Sequence, residues 1–400
     1  MLMTPSEQSP APSPSSTPTP QSLGLVCLTP SLGGLELNLI RLAQWLGAQA
    51  VEVFFFAQPG SPSYLKAQQF GLQVFPLTKR RKYMDWKAAR TLRNFCLQHQ
   101  IQNLICSDNQ DLDLILWTKA LTRQQLMKTF YLQQMLVGVN KRDLAHTLKY
   151  RWLDHWLAPL DWLKVQALER TRIAESKVIS CPLGVDTERF SSLALTRSEA
   201  RAEMNLPQEL FLFGLVGRTD PGKGIHTLIE AFNEVAAQEP EVGLVVVSAF
   251  PKEGGEHWDY AQKIHRMREE SPHRDRIFFR PFTDQVEKAF RSLDGFVMAS
   301  LCETVGMVTI EAMLSRIPVI GANSAGTPEL LDFGRAGLLF EVENPIDLAQ
   351  KMSLLKRQHE NNMNNSSEDE LGSMIHRAFE RAQTNYSAKK MCDIIRSQML

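Results

Sequence analysis

The sequence predicts an α/β protein built from two Rossmann-like, doubly wound parallel sheets that face a central cleft. Three observations carry this. Short apolar runs alternate with longer amphipathic ones from Leu23 onward, the alternation restarts at Leu210 after a turn-rich polar stretch, and 400 residues are long for one core. Strands that alternate with helices imply parallel pairing through crossover helices. Ligands of such sheets bind outside the carboxyl ends of the strands, so two facing sheets place the ligand between the domains.

Residues 1–22 are rich in Pro, Ser and Thr and have neither a basic start nor an apolar stretch. They read as a disordered tail and not as a signal peptide. The first domain is expected over 23–190. Its strands are Leu23–Leu28, Val51–Phe56, Leu104–Cys106 and Lys128–Leu132, with helices over Glu36–Trp45 and Ser63–Phe70. The aromatic stretch Tyr150–Trp156, with Trp162, is expected in the core. After the turn-rich segment Pro182–Phe190, the polar residues 191–208 read as a linker. The second domain, 209–370, has strands at Leu210–Val216, Gly243–Ser248, Arg276–Phe279, Gly295–Ala299 and Pro318–Gly321. His359–Glu370 reads as an exposed loop, and 371–400 as closing helices.

Composition narrows the function. Acidic and basic residues number 44 each, and this zero formal charge argues against nucleic acid as the general partner. The six cysteines show neither a C-x-x-C pair nor zinc-ligand spacing, so they are expected as free thiols in a reducing compartment. No apolar run approaches the roughly 20 residues needed to span a bilayer. The expectation is a soluble, cytoplasmic protein. The strongest basic run, Lys79-Arg-Arg-Lys82 continuing through Tyr83, Trp86, Lys87, Arg90 and Arg93, contains a single acid, Asp85. It allows peripheral contact with an anionic membrane, or else it is a solvated helix face.

Two segments carry chemistry. In the first, Glu303 and Glu311 flank Gly306 directly after the apolar run Gly295–Ala299. This places Glu303 at a strand's carboxyl end and Glu311 about a turn inside the next helix. The amides of Met307 and Val308 would then be helix-start donors, which attract phosphate oxygens. In the second, Gly217-Arg-Thr-Asp-Pro-Gly-Lys-Gly224 follows a strand, and Arg218 and Lys223 flank its turn. That segment satisfies most of a phosphate-binding P-loop, yet Gly224 stands where a Ser or Thr must hold magnesium. Asp111-Leu-Asp113 has the form of a metal-binding D-x-D, but its place at the start of a helix explains it as N-terminal helix charge.

These pieces, together with Gly33-Gly-Leu-Glu36, Gly184-Val-Asp186 and Gly326-Thr-Pro-Glu329, occur in an order that resembles the retaining GT-B-fold glycosyltransferases of family 4, also called group 1. The resemblance covers most of the chain from Leu23 and is most specific around Glu303 and Glu311. It implies a sugar transferred from a nucleoside diphosphate sugar to a glycan, lipid or small-molecule acceptor, with retention of configuration. It implies that Arg218 and Lys223 grip the donor diphosphate, Glu311 binds the ribose diol, Glu303 binds the donor sugar, and Gly33 and Gly34 let the backbone approach the phosphates. It implies no metal and no cofactor beyond the donor substrate, and it makes the first domain the acceptor side. Two departures stand out. Gln134 occupies the place of a histidine found in many relatives, where it can contact a sugar but cannot exchange a proton near neutral pH. Arg316 replaces a turn glycine, so that turn is expected to be rebuilt. The Gln134 departure leaves a catalytically silent sugar-nucleotide-binding protein as the alternative.

Overall fold

The computed structural model describes residues 21–78, 81, 85–122, 127–192, 194–363 and 370–399. The first domain is a seven-stranded parallel sheet in the order β3-β2-β1-β4-β5-β6-β7. Its strands are β1 (Ser22–Cys27), β2 (Glu52–Ala57), β3 (Val74–Pro76), β4 (Asn103–Cys106), β5 (Lys128–Leu132), β6 (His155–Ala158) and β7 (Val178–Ser180). Its helices are α1 (Gly34–Ala48), α2 (Pro62–Gln69), α3 (Trp86–Gln98), α4 (Asn109–Thr122), α5 (Leu144–Trp152) and α6 (Asp161–Arg170).

Two short helices, α7 (Thr187–Ser191) and α8 (Arg197–Glu203), lead into the second domain. There β8 (Phe211–Arg218), β9 (Val242–Ala249), β10 (Ile277–Pro281), β11 (Gly295–Met298), β12 (Val319–Ala322) and β13 (Leu338–Phe340) form a parallel sheet in the order β10-β9-β8-β11-β12-β13. Its helices are α9 (Ile225–Gln238), α10 (Trp258–Glu270), α11 (Val286–Ser292), α12 (Met307–Leu314), α13 (Thr327–Leu330), α14 (Pro345–Met363), α15 (Glu370–Asn385) and α16 (Ala388–Met399). This is the GT-B architecture of two Rossmann-like domains that the sequence predicted. The strand order reverses at β1/β4 in one sheet and at β8/β11 in the other. Loops leave in opposite directions at such points and open a crevice, so the topology fixes where a ligand can enter each domain.

Local chemistry explains the elements. Strands such as β8 and β9, apolar on both faces, are buried between helices, as parallel strands require. Helix starts are set by side chains that accept the third amide of the helix: Ser61 from Tyr64, Asp85 from Ala88, Asp143 from His146, Asp186 from Arg189 and Thr196 from Glu199. The chain ends by recrossing to the first domain. Val185 donates to Tyr386 O at 2.8 Å, Ala388 donates back to Val185 O at 3.0 Å, and α16 packs on α1.

Several expectations need correction. β1 begins at Ser22, the last residue assigned to the tail. Residues 191–208 are not a bare linker, because α8 packs on α11 and its buried Arg201 binds the buried carboxylate of Asp294. The stretch from His359 is helical as far as Met363, the end of α14, while 364–369 lie outside the described residues. Tyr150 and Trp156 are buried as expected, but Trp152 is 51% exposed. The turn at Arg316 keeps its left-handed form, with φ +57, instead of being rebuilt. Its guanidinium lies 3.7 Å from the Phe379 ring centroid, and this stacking on α15 offsets the backbone strain of a non-glycine residue there.

The Asp294 carboxylate binds Arg197 at 2.6 Å, Arg201, and the Leu212 amide at 2.7 Å. Removing it strands a buried guanidinium and a strand amide. Asp294→Ala is therefore expected to lower unfolding stability by about 3 kcal/mol or more in urea titrations; a loss under about 1 kcal/mol would show that this network does not hold α8 to the sheet.

Candidate functional site

The crevice of the second domain is built by the loops after β8 and β11. The first loop turns through Pro221–Lys223 and ends at Gly224, which has φ +65. A β-carbon at Gly224 would lie 2.1 Å from the Ala299 carbonyl oxygen, so only glycine allows this approach. The Leu301 amide donates to Gly222 O at 2.9 Å and joins the loops. Across that junction Lys223 Nζ donates to Glu303 Oε2 at 2.6 Å, with both side chains about one-fifth exposed. Arg218 is turned differently. Its side chain is 76% exposed and lies 3.3 Å from Asp220, so the structure joins Lys223 to Glu303 and leaves Arg218 at the rim.

Gly306, with φ +80, caps α12 and sends the chain into the crevice. Met307 and Val308 begin the helix, where amides have no acceptor within it. Glu311 lies a turn further in and is buried. Burial raises its carboxyl to about 7; Arg41 of α1 and Arg189 oppose that rise, and Glu287 adds to it. Arg41 belongs to the other domain, so the cleft brings a first-domain cation into the field of Glu311. Arg189 is itself bound to Glu287 at 2.6 Å.

In the first domain Gly33 and Gly34 stand exposed at the start of α1. Glu36 arranges the loop before them. Its buried carboxylate accepts from the Gly33 amide at 2.7 Å, Thr29 at 2.8 Å and Ser31 at 3.2 Å. Gln134 is committed to the same end of the sheet: its Oε1 accepts from Asn38 at 2.8 Å, and its Nε2 donates to Ser107 at 3.0 Å and to Leu35 O at 3.2 Å. Both amide hydrogens are therefore used within the first domain, and Gln134 acts as a clasp between α1 and the end of β5. The adjacent Gln133 is fully buried and accepts from Trp156 at 2.8 Å.

Asp111 and Asp113 point to separate partners. Asp111 accepts from the Leu28 amide at 2.8 Å, while Asp113 pairs with Lys149 at 2.7 Å. His155 is the first residue of β6 and stacks on Phe130. Lys79, Arg80, Lys82 and Tyr83 lie outside the described residues; Trp86 to Arg93 form the start of α3.

Sequence reasoning missed how Glu329 acts. Its carboxylate accepts from the amides of Asp161 at 2.8 Å and Trp162 at 3.0 Å, and so caps α6 of the opposite domain. No local pattern announces a cap whose helix lies more than a hundred residues away. The Arg41 contribution escaped for the same reason. The role of Glu36 was not read either, although a glutamate at the third helical position of α1 is a local signal that could have found it.

Comparison with known proteins finds similarity chiefly in the second domain. Residues 196–369 match the family described as glycosyl transferases group 1. A D-inositol 3-phosphate glycosyltransferase of Streptomyces bingchenggensis is 31% identical over 175 residues, which cover 43% of this chain and 38% of the relative. Spore coat protein SA of Bacillus subtilis is 26% identical over 202 residues, covering 48% and 53%. The matches thus span about two-fifths to half of these relatives. Over nearly full length the fold resembles a Rickettsia africae glycosyltransferase, with TM-score 0.83, 15% identity and coverage of 95% and 98%. It also resembles Anabaena HepE in complex with UDP, with TM-score 0.80, 17% identity and coverage of 95% and 99%.

The Glu311 environment has a pH signature. Its folded pKa lies above the ordinary carboxylate value, so its contribution to stability is complete below about pH 4.5 and is lost as the pH rises through about 7. Glu311→Gln should remove this loss and gain about 2 to 3 kcal/mol on wild type between pH 4.5 and 8, read by urea unfolding at each pH; parallel pH profiles for the two proteins would refute the assignment.

Proposed function

We propose that this chain is a retaining glycosyltransferase that moves a sugar from a nucleoside diphosphate sugar to an acceptor held against the first domain. The observation that carries the reading is the Lys223–Glu303 pair, 2.6 Å apart, set between a glycine turn and the first amides of α12 at the second sheet's switch point. A diphosphate arriving there meets an ammonium and helix-start amides, both of which favour an anion. It competes with Glu303 for Lys223, and the released carboxylate is then free to accept from sugar hydroxyls. Glu311 accepts from the ribose diol. Arg218 adds a cation from the rim, so no metal or further cofactor enters the proposal.

Glycosyl transfer gathers negative charge on the leaving diphosphate as the anomeric bond breaks. Interactions that strengthen with that charge lower the barrier, and a charge-assisted hydrogen bond contributes about 1.5 to 3 kcal/mol. In transfer with retention, the acceptor oxygen bonds to the anomeric carbon on the face the diphosphate leaves, and the acceptor proton passes to a leaving phosphate oxygen. Such a step needs no protein base, which is compatible with Gln134 in place of histidine. The solved relative with bound UDP and the curated glycosyltransferases support a nucleotide-sugar donor. Peripheral contact with an anionic membrane through Lys79 to Arg93 belongs to the same proposal. In these described residues no helix is long and apolar enough to cross a membrane.

The engagement of both Gln134 amide hydrogens favours one second reading, a protein that binds sugar nucleotides without turnover. Donor hydrolysis and transfer assays separate the two. Lys223→Ala is expected to lose roughly 100-fold in turnover on a nucleoside diphosphate sugar, by analogy with loss of an oxyanion donor. Wild-type turnover in that variant would overturn the role of Lys223, and donor binding with no turnover in the wild type across acceptors would establish the silent reading.

A further inference from the structure

The turn that carries Glu303 is held from behind by the next βα connection. After β12 the chain runs through Ser324, Ala325 and Gly326 into α13. Ser324 Oγ donates to Leu301 O at 2.6 Å, and the Gly326 amide donates to Glu303 O at 3.1 Å. Leu330 packs on the end of the same turn, where a β-carbon at Gly306 would lie 2.9 Å from its side chain. The backbone from Leu301 to Gly306 thus rests on one segment, 324–330. That segment is strained: Ala325 has φ +52, a left-handed conformation that is costly for a residue with a β-carbon. Such strain persists where surrounding contacts over-determine the backbone, and it gathers at functional sites.

The same segment grips the first domain. Glu329 accepts from the amides of Asp161 and Trp162, and Gly326 lies in the narrow gap between the domains. A β-carbon at Gly326 would meet Leu160 at 2.7 Å, the Thr304 carbonyl oxygen at 2.8 Å and Trp162 Nε1 at 2.9 Å. Gly326 has φ −80, so space and not conformation calls for glycine there. Arg381 holds the carbonyls of Glu329 and Leu330 from α15, just over a turn before Tyr386, where the chain crosses back to the first domain. A rotation of the domains about that crossing acts on segment 324–330, and through it on the Glu303 carbonyl. Trp162 shows which way the junction can move. Its indole N–H is buried and finds no acceptor among the described residues, while the Thr304 carbonyl oxygen lies beside it. A buried donor without an acceptor is costly, so a shift that pairs the two is favoured.

We propose that Glu329 is a positioning residue, which through Gly326 carries the position of the first domain to the Glu303 turn, so that closing the cleft brings the Trp162 indole onto the Thr304 carbonyl and sets the Glu303 carboxylate for the sugar. The tie between the domains stands on these contacts alone, whereas its effect on catalysis rests on the proposed sugar transfer.

Fluorine NMR reads the tie without any ligand. In the full chain labelled with 5-fluorotryptophan, the Trp162 signal is assigned by its loss in Trp162→Phe. Lys223→Ala releases the Glu303 carboxylate and should shift the Trp162 signal, while that of Trp156, buried in the first-domain core, stays in place and shows that the variant is folded. Adding Glu329→Ala should abolish the response to Lys223→Ala. A Trp162 signal that does not respond to Lys223→Ala, or that responds equally with and without Glu329, overturns the tie. The catalytic role is read on UDP-glucose. Glu329→Ala and Gly326→Ala should each lower kcat roughly 10- to 100-fold, since misplacing a reacting group by about 1 Å costs on that order, and leave the affinity for UDP unchanged. In a Glu303→Ala background, Glu329→Ala should cost nothing further. An equal loss of UDP affinity, or losses that add in the double variant, would show that Glu329 is a structural cap alone. A wild type that neither binds UDP nor hydrolyses UDP-glucose overturns the transferase reading for that donor and the catalytic role with it, and the fluorine response then decides the tie by itself.

Discussion

The contact between Gly224 and the Ala299 carbonyl decides how the second crevice is built. The backbone of the loop after β8 rests directly on the loop after β11, at a distance no side chain permits. Everything polar nearby follows from that closeness. The Leu301 amide reaches Gly222 O, and the Lys223 ammonium comes within 2.6 Å of Glu303 although the two residues belong to different βα units. Spread the loops by the width of a methyl group and a lysine and a glutamate remain, each solvated, with no reason to share one point. The steric constraint therefore lies upstream of the electrostatics.

A second set of contacts relates the two domains, and much of it uses helix ends. Glu329 caps α6 across the cleft, while α16 returns from the second domain to pack on α1. Arg381 on α15 donates to the carbonyls of Glu329 at 2.8 Å and Leu330 at 3.1 Å, so the residue that caps α6 is itself held from behind. Lys66 and Asp284 face each other at 4.0 Å, but Asp284 is largely exposed and water screens that pair. The cap is the more consequential tie, because its carboxylate serves two backbone donors that otherwise lack partners.

Most of this architecture was legible in the sequence because its signals are local. The apolar runs gave the central strands of both sheets, and the glycine turn with Arg218 and Lys223, together with Glu303, Gly306 and Glu311, marked the loops of the second crevice. Short or polar strands were harder to see. β3, β7 and β13 have three residues each, too few for a period, and β6 lies inside an aromatic stretch that reads equally as helix or core. Residues 191–208 read as linker because α8 is short and charged; what folds it is Asp294, far along the chain. The bonds of Gln134 were not legible, since its partners Asn38 and Ser107 come from other elements.

The two glutamates that flank Gly306 have different surroundings, and the proposed roles follow from that difference. Glu303 is partly exposed and already bound to an ammonium, so exchanging that ammonium for sugar hydroxyls leaves it in contact with polar groups throughout. Glu311 is buried, and its carboxyl is pushed up to about 7. On the proposed reading a ribose diol hydrogen-bonds to the ionised form and pulls it back down, since donors to a carboxylate favour its charge. Donor binding would then couple to proton release from Glu311 near neutral pH, and Arg41, reaching into the same field from α1, would favour the same ionised state. On that same proposed reading, the Glu303 side is already neutralised by Lys223 and the Glu311 side is not, an asymmetry that would orient a nucleoside toward Glu311 and a sugar toward Glu303.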